Sequence, residues 1–125
     1  MVVTNALGVA FTATLLAASD AGVTFAFPED GETNALAWAQ LAPASRAAVC
    51  DALDFAPVPP ALAATFAVAR NELRRVDALT ADERLDAEQA ARRRASICAA
   101  FARRARAAGQ DDVQIARLLR RLRRS

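Results

Sequence analysis

The chain of 125 residues contains no histidine, lysine or tyrosine, and all 16 of its basic residues are arginine. Imidazole acid–base catalysis, histidine metal ligation and Schiff-base chemistry at lysine are therefore excluded. Carboxylates, two cysteines and the arginines remain. Asp51 and Asp54, and likewise Asp82 and Asp86, stand about one turn apart on expected helices. Paired carboxylates can hold a metal ion or exchange a proton. No further ligand lies near either pair, so the expectation is solvated helix faces. Cys50 and Cys98 are far apart, with no CxxC or zinc spacing, and are expected as small apolar side chains in helices. There is no phosphate-cradling glycine loop, no HExxH and no GxSxG. The expectation is a non-enzymatic protein with no cofactor and no metal.

The arginines carry the remaining chemistry. Residues 1–91 hold 5 Arg against 12 Asp and Glu, a net of −7, whereas residues 92–125 hold 11 Arg against 2 Asp, a net of +9. A guanidinium is a fixed fork of donors suited to phosphate or carboxylate. The candidate contacts are Arg103, Arg104, Arg106, Arg117, Arg120, Arg121, Arg123 and Arg124. Their partner is expected to be nucleic acid, bound through its phosphates. The alternative is an acidic protein surface, including the acidic part of a neighbouring copy. That would make the chain an assembly subunit: a homo-oligomeric ring or connector, or a component of a phage-like particle. A solvated helix face is the third reading. A membrane-surface role is disfavoured because no aromatic anchor follows Phe101.

The elements that must position these arginines read as follows. Residues 6–18, "ALGVAFTATLLAA", are apolar but shorter than the roughly 20 residues that span a bilayer. They have no flanking Lys or Arg, so a signal peptide is not expected, and the protein is read as cytoplasmic. A helix capped by Thr4 or Asn5 is expected to run to about Ser19. Gly8, Val9, Thr12 and Thr14 argue against it, and "GVAFTA" at 8–13 echoes "GVTFAF" at 22–27, which leaves a pair of strands as the alternative. Val23, Phe25 and Phe27 alternate as in a strand, Asp30-Gly31 is a turn signal, and Leu36 and Trp38 alternate again in a return strand over 35–39. A helix from Thr33 or Asn34 is the rival.

The rest reads as helix. Pro43 opens one that runs to about Leu53, and "APVPP" at 56–60 is a stiff connector. Leu62, Phe66, Ala69, Leu73 and Val76 form one stripe at helical spacing. Thr80 and Glu83 have the spacing of a capping box, opening a helix that ends at Gly109. Arg94 falls on its apolar side; its stem is expected to pack there while its head escapes to water, and a buried ion pair or an anion contact is the alternative. Asp111 and Asp112 suit the start of a last helix, with Ile115, Leu118, Leu119 and Leu122 as its apolar stripe.

"AGQDDVQIARLL" resembles the first helix of a helix-turn-helix, but the chain runs on as "RRLRRS" with no turn glycine and no second helix. The fold class expected is mainly α: a bundle of about five helices with a short N-terminal β-hairpin. Residues 1–109 would form a mainly helical domain with the hairpin near 23–39. Residues 110–125 would form a basic amphipathic helix.

Overall fold

The computed structural model describes residues 1–124; Ser125, the last residue of the expected C-terminal helix, lies outside the described residues. The chain divides into two compact units, Met1–Pro57 and the residues from Val58 on. The expected five-helix bundle with one hairpin is overturned. Among the described residues there are four α-helices, and five strands form two small antiparallel sheets, all of them within the first unit.

The largest correction concerns residues 5–19, which are not helical. Strand β1 (Val2–Thr4) pairs with β2 (Ala10–Thr12), and β3 (Thr14–Ser19) begins the second sheet. The β1–β2 turn explains why. Asn5 Oδ1 accepts from the amides of Leu7 and Val9 at 3.0 Å each, and the Asn5 amide donates to the Val9 carbonyl at 2.9 Å. Gly8 sits there at φ 85°, a conformation that a side chain would oppose. Side chain and glycine together close a reversal before any helical turn can form. The β-branched Val2, Val3, Thr4, Thr12 and Thr14 then suit strands. The repeated hexapeptide has a tertiary counterpart: Phe11 and Phe25 hold equivalent places in it, and their rings meet at 5.3 Å.

The second sheet has the order β3-β4-β5, with β4 Gly22–Ala26 in the middle and β5 Thr33–Ala37 at one edge. The hairpin expected near 23–39 therefore forms, and Val23 pairs with Leu36. Its loop is closed by the Gly31 amide donating to the Phe27 carbonyl at 2.9 Å, while Asp30 Oδ1 accepts from the Glu32 amide. The return strand stops earlier than expected: Trp38–Gln40 is a single 3-10 turn. That turn swings Trp38 under the sheet, where its Nε1 donates to the Ser19 carbonyl at 2.8 Å and its ring stacks on Phe55 at 6.0 Å.

Helix α1 (Pro43–Leu53) starts with proline at its first position and packs against β3. The core of this unit is Val3, Ala13, Val23, Phe25, Trp38, Leu41 and Val49. Two side-chain and backbone ties hold strand and helix together. The Thr4 amide donates to Ser45 Oγ at 2.8 Å, and the Ala42 amide donates to the Thr4 carbonyl at 3.0 Å.

Among the described residues the second unit holds three α-helices, preceded by a 3-10 turn at Pro60–Leu62. Helix α2 (Ala63–Ala81) buries Phe66, Ala69, Leu73 and Val76, with Leu62 just before it, which is the stripe read from spacing. The helix does not restart at Thr80. Thr80 lies in the last turn of α2 and its hydroxyl donates to the Val76 carbonyl at 2.8 Å. Glu83 turns the chain at φ 58°, and Asp86 caps α3 (Ala87–Ala107). Asp86 and Gln89 form the capping box, with the Gln89 amide donating to Asp86 Oδ1 at 2.7 Å. The buried Leu85 pins this turn to Val76 and Ala90, a tertiary contact that places the boundary six residues beyond the Thr80 signal.

Helix α3 ends as expected at Gly109, φ 90°. The Gln110 amide donates to the Ala105 carbonyl and the Gly109 amide to the Arg106 carbonyl, both at 3.1 Å, which is the Schellman pattern. Asp111 and Gln114 cap α4 (Asp112–Arg123), whose buried face is Ile115, Leu118 and Leu122. Helix α4 packs on both α2 and α3. Phe66 and Phe101 meet edge to face at 5.7 Å within this core, and Phe101 is almost completely buried.

Candidate functional site

The division into units is also a division of charge. Met1–Pro57 carries Arg46 alone against six Asp and Glu, a net of −5, while the residues from Val58 on carry 15 Arg against eight Asp and Glu, a net of +7. The basic character is thus a property of the three-helix unit, not of a C-terminal helix alone. It begins in α2 with Arg70, Arg74 and Arg75.

The arginines expected to bind a partner fall into two groups. Arg103 and Arg104, in the last turns of α3, and Arg123 and Arg124, at the end of α4, are exposed. The others are engaged by the chain itself. Arg106 Nη2 lies 3.1 Å from Asp112 Oδ1, which ties the end of α3 to the start of α4. Arg117, Arg120 and Arg121 are half-buried and each has interactions within the molecule. Arg121 stands 5.5 Å from the centre of the Phe66 ring.

Arg94 does meet a carboxylate, Asp77 on α2, at 2.6 Å. The pair is half exposed, with the two side chains 43% and 58% open to solvent, so the head reaches water and a carboxylate together and the buried pair offered as the alternative does not form. Arg94 falls in line with the core stripe of α3, but near the start of the helix, where the guanidinium can reach past the stripe to Asp77. Both Nη2 and Nε donate to the same oxygen of Asp77. Arg70 is a residue that sequence reading passed over. Its guanidinium lies 4.7 Å from the centre of the Phe66 ring, so Arg70 and Arg121 both contact that ring. The spacing of Phe66 and Arg70, four residues on one helix, was the available signal.

Further exposed arginines become visible once α3 is placed as one continuous helix of 21 residues. Arg92 and Arg103 share one face, and Arg93 and Arg104 share the next. Each pair is separated by 11 residues, three turns, or about 16.5 Å along the axis.

A shallow groove of about 330 Å³ runs between α2 and α3. Val76, Leu79 and Ile97 line it together with Glu72, Arg75 and Arg93. A second, smaller hollow of about 30 Å³ shares Glu72 and Ile97 with it and is lined also by Val68, Ala100 and Arg104. No residue of α4 lines either.

Asp51 lies in the last turn of α1 and Asp54 is its left-handed cap at φ 48°, while Asp82 and Asp86 flank the α2–α3 turn. Among the described residues no group of three or more His, Cys, Asp or Glu is gathered where it could hold a metal ion. Cys50 is half-buried, Cys98 is buried, and both are free thiols. No helix among the described residues is long and apolar enough to cross a membrane. What the arrangement offers chemically is a set of fixed cations on a rigid helical scaffold. Comparison with known proteins finds no matching family model, no matching curated protein and no matching solved structure.

Proposed function

We propose that the protein is a non-enzymatic binding protein whose three-helix unit contacts nucleic-acid phosphates. The observation that carries this reading is the set of exposed arginines Arg92, Arg93, Arg103, Arg104, Arg123 and Arg124. None of these six forms an ion pair among the described residues, in contrast to Arg94 and Arg106. Solvated guanidinium groups held on capped, packed helices can exchange water and counterions for phosphate oxygens with little loss of conformational freedom. Such contacts position a duplex without reading its bases, so weak sequence preference is expected.

The experiment is fluorescence anisotropy with labelled duplex DNA and duplex RNA over a salt series. Binding at low salt with a log–log slope near −0.9 for each phosphate neutralised on DNA supports the reading. No binding at roughly 50 mM salt, where such contacts are strong, removes it.

The opposed charges of the two units favour a second reading, an assembly subunit in which the basic unit of one copy meets the acidic unit of another. Light scattering at low and high salt separates the two. A mass that rises as salt falls, in the absence of nucleic acid, selects assembly; a monomer throughout excludes it.

A further inference from the structure

We infer that the groove between α2 and α3 is a docking site for an acidic amphipathic helix of a protein partner. This goes beyond the nucleic-acid reading: the groove shares Arg93 and Arg104 with that surface, but the inference stands on the apolar floor between α2 and α3, which Val68→Glu tests without altering an arginine.

The α2–α3 pair has two flanks. On one, α4 already packs across both helices and contributes the apolar stripe Ile115, Leu118 and Leu122. Phe66 of α2, with Arg121 of α4 over its ring, marks that flank. On a helical projection Val68, Arg75 and Leu79 lie on the other side of the α2 core stripe. The fold therefore shows what this helix pair accepts: an amphipathic helix of about three turns. The open flank has the same length. Val68 to Leu79 on α2, and Arg93 to Arg104 on α3, each span 11 residues, about 16.5 Å.

The open flank also has the required surface. Val68 is 51% exposed, Ile97 is half-buried in the same hollow, and Leu79 is half-buried farther along α2 on the other side of Ile97. An apolar floor of this kind is the basis of helix-in-groove recognition. Charge then selects the occupant. Arg75, Arg93 and Arg104 line the groove against a single carboxylate, Glu72, so its net charge is positive. A second copy of α4 would bring Arg117, Arg120 and Arg124 to those arginines and be repelled. A helix with apolar residues at i, i+3 or i+4 and i+7, flanked by Asp or Glu, would bury its stripe on Val68 and Ile97 and pair its carboxylates with the arginine rim.

The test uses the full chain and a displayed library of 16-residue peptides, about four helical turns. Selected peptides are synthesised and their affinities measured by anisotropy. The expected result is a shared pattern of apolar residues at helical spacing with Asp or Glu beside them. Val68→Glu should weaken these peptides at least tenfold; its side chain is already half in water, so the helices should remain folded by circular dichroism. Arg93→Glu should weaken them as well, and changing the peptide's Glu to Lys should restore binding to that variant. Failure to select any peptide, selection without an acidic bias, or affinity indifferent to Val68→Glu would overturn the inference. So would Val68→Glu abolishing duplex DNA binding while leaving peptide binding intact. Salt-dependent duplex binding through Arg103, Arg123 and Arg124 can succeed or fail independently of all these results.

Discussion

Arg94 holds Asp77 through two donors to one oxygen, Nη2 at 2.6 Å and Nε at 3.2 Å, and so links the first turns of α3 to the last turns of α2. The link spans a loop whose direction is otherwise set by Leu85 and the Asp86 cap. Because both partners are about half exposed, water and salt screen the pair, and its worth lies at the scale of surface ion pairs. A double-mutant cycle of Arg94→Ala and Asp77→Ala, followed by urea unfolding, should give a coupling of about 0.2–1 kcal/mol that shrinks at high salt. A coupling of several kcal/mol would mean that the pair is far better shielded than its exposure indicates.

Gly22 faces Ala37 across the β4–β5 ladder, and a Cβ built on Gly22 would lie 2.0 Å from the Leu36 carbonyl oxygen. That obstacle is the backbone of β5, the strand paired with β4, so it cannot move without disturbing the pairing. Gly22→Ala should destabilise the first unit by about 1–3 kcal/mol. Trp38, the sole tryptophan, lies in that unit and follows the affected residues, so its fluorescence during denaturation reads the change directly. An unchanged midpoint would show that the strand tolerates a side chain there.

Asp86 and Asp111 each accept from a backbone amide three residues on, at 2.7 and 2.8 Å, and each is matched by a glutamine returning to its own amide. Replacing either aspartate by alanine should cost about 1 kcal/mol, seen as a lower denaturation midpoint by circular dichroism. Thr80→Val should cost less than either cap, since the Thr80 hydroxyl bonds back to Val76 inside α2 and caps nothing.

If the exposed arginines contact phosphates, Arg103→Ala and Arg104→Ala should each weaken duplex binding across sequences and reduce the salt slope by about 1. Arg94→Ala should leave the slope unchanged, because that guanidinium is committed to Asp77. Equal losses from all three would point to a general effect of net charge instead of localised contacts. The comparison uses one duplex, anisotropy and a common salt series.

The helical half was largely legible in the chain. The stripe from Leu62 to Val76, the stop at Gly109 and the acidic start of α4 are all local, since helical hydrogen bonds and caps join residues no more than about five apart. The start of α3 was misplaced: the Thr80–Glu83 spacing marked the wrong residue, and the helix begins after Asp86, where Leu85 is buried against Val76 and Ala90.

The strands were harder to see because their partners are distant. "TLLAAS" at 14–19 has an alanine-rich, helix-compatible composition, and it becomes β3 because β4 returns to pair with it after Asp20 and Ala21. The candidate surface divides in the same way. The number and sign of the arginines, and the absence of catalytic histidine and lysine, followed from the sequence alone. Which arginines would be spent inside the molecule did not. Asp77 lies 17 positions from Arg94, and the Phe66 ring lies on a different helix from Arg121, so only the packing of α2, α3 and α4 could bring them together. The groove is a product of that same packing, since it exists only where two helices run side by side and a third covers one flank.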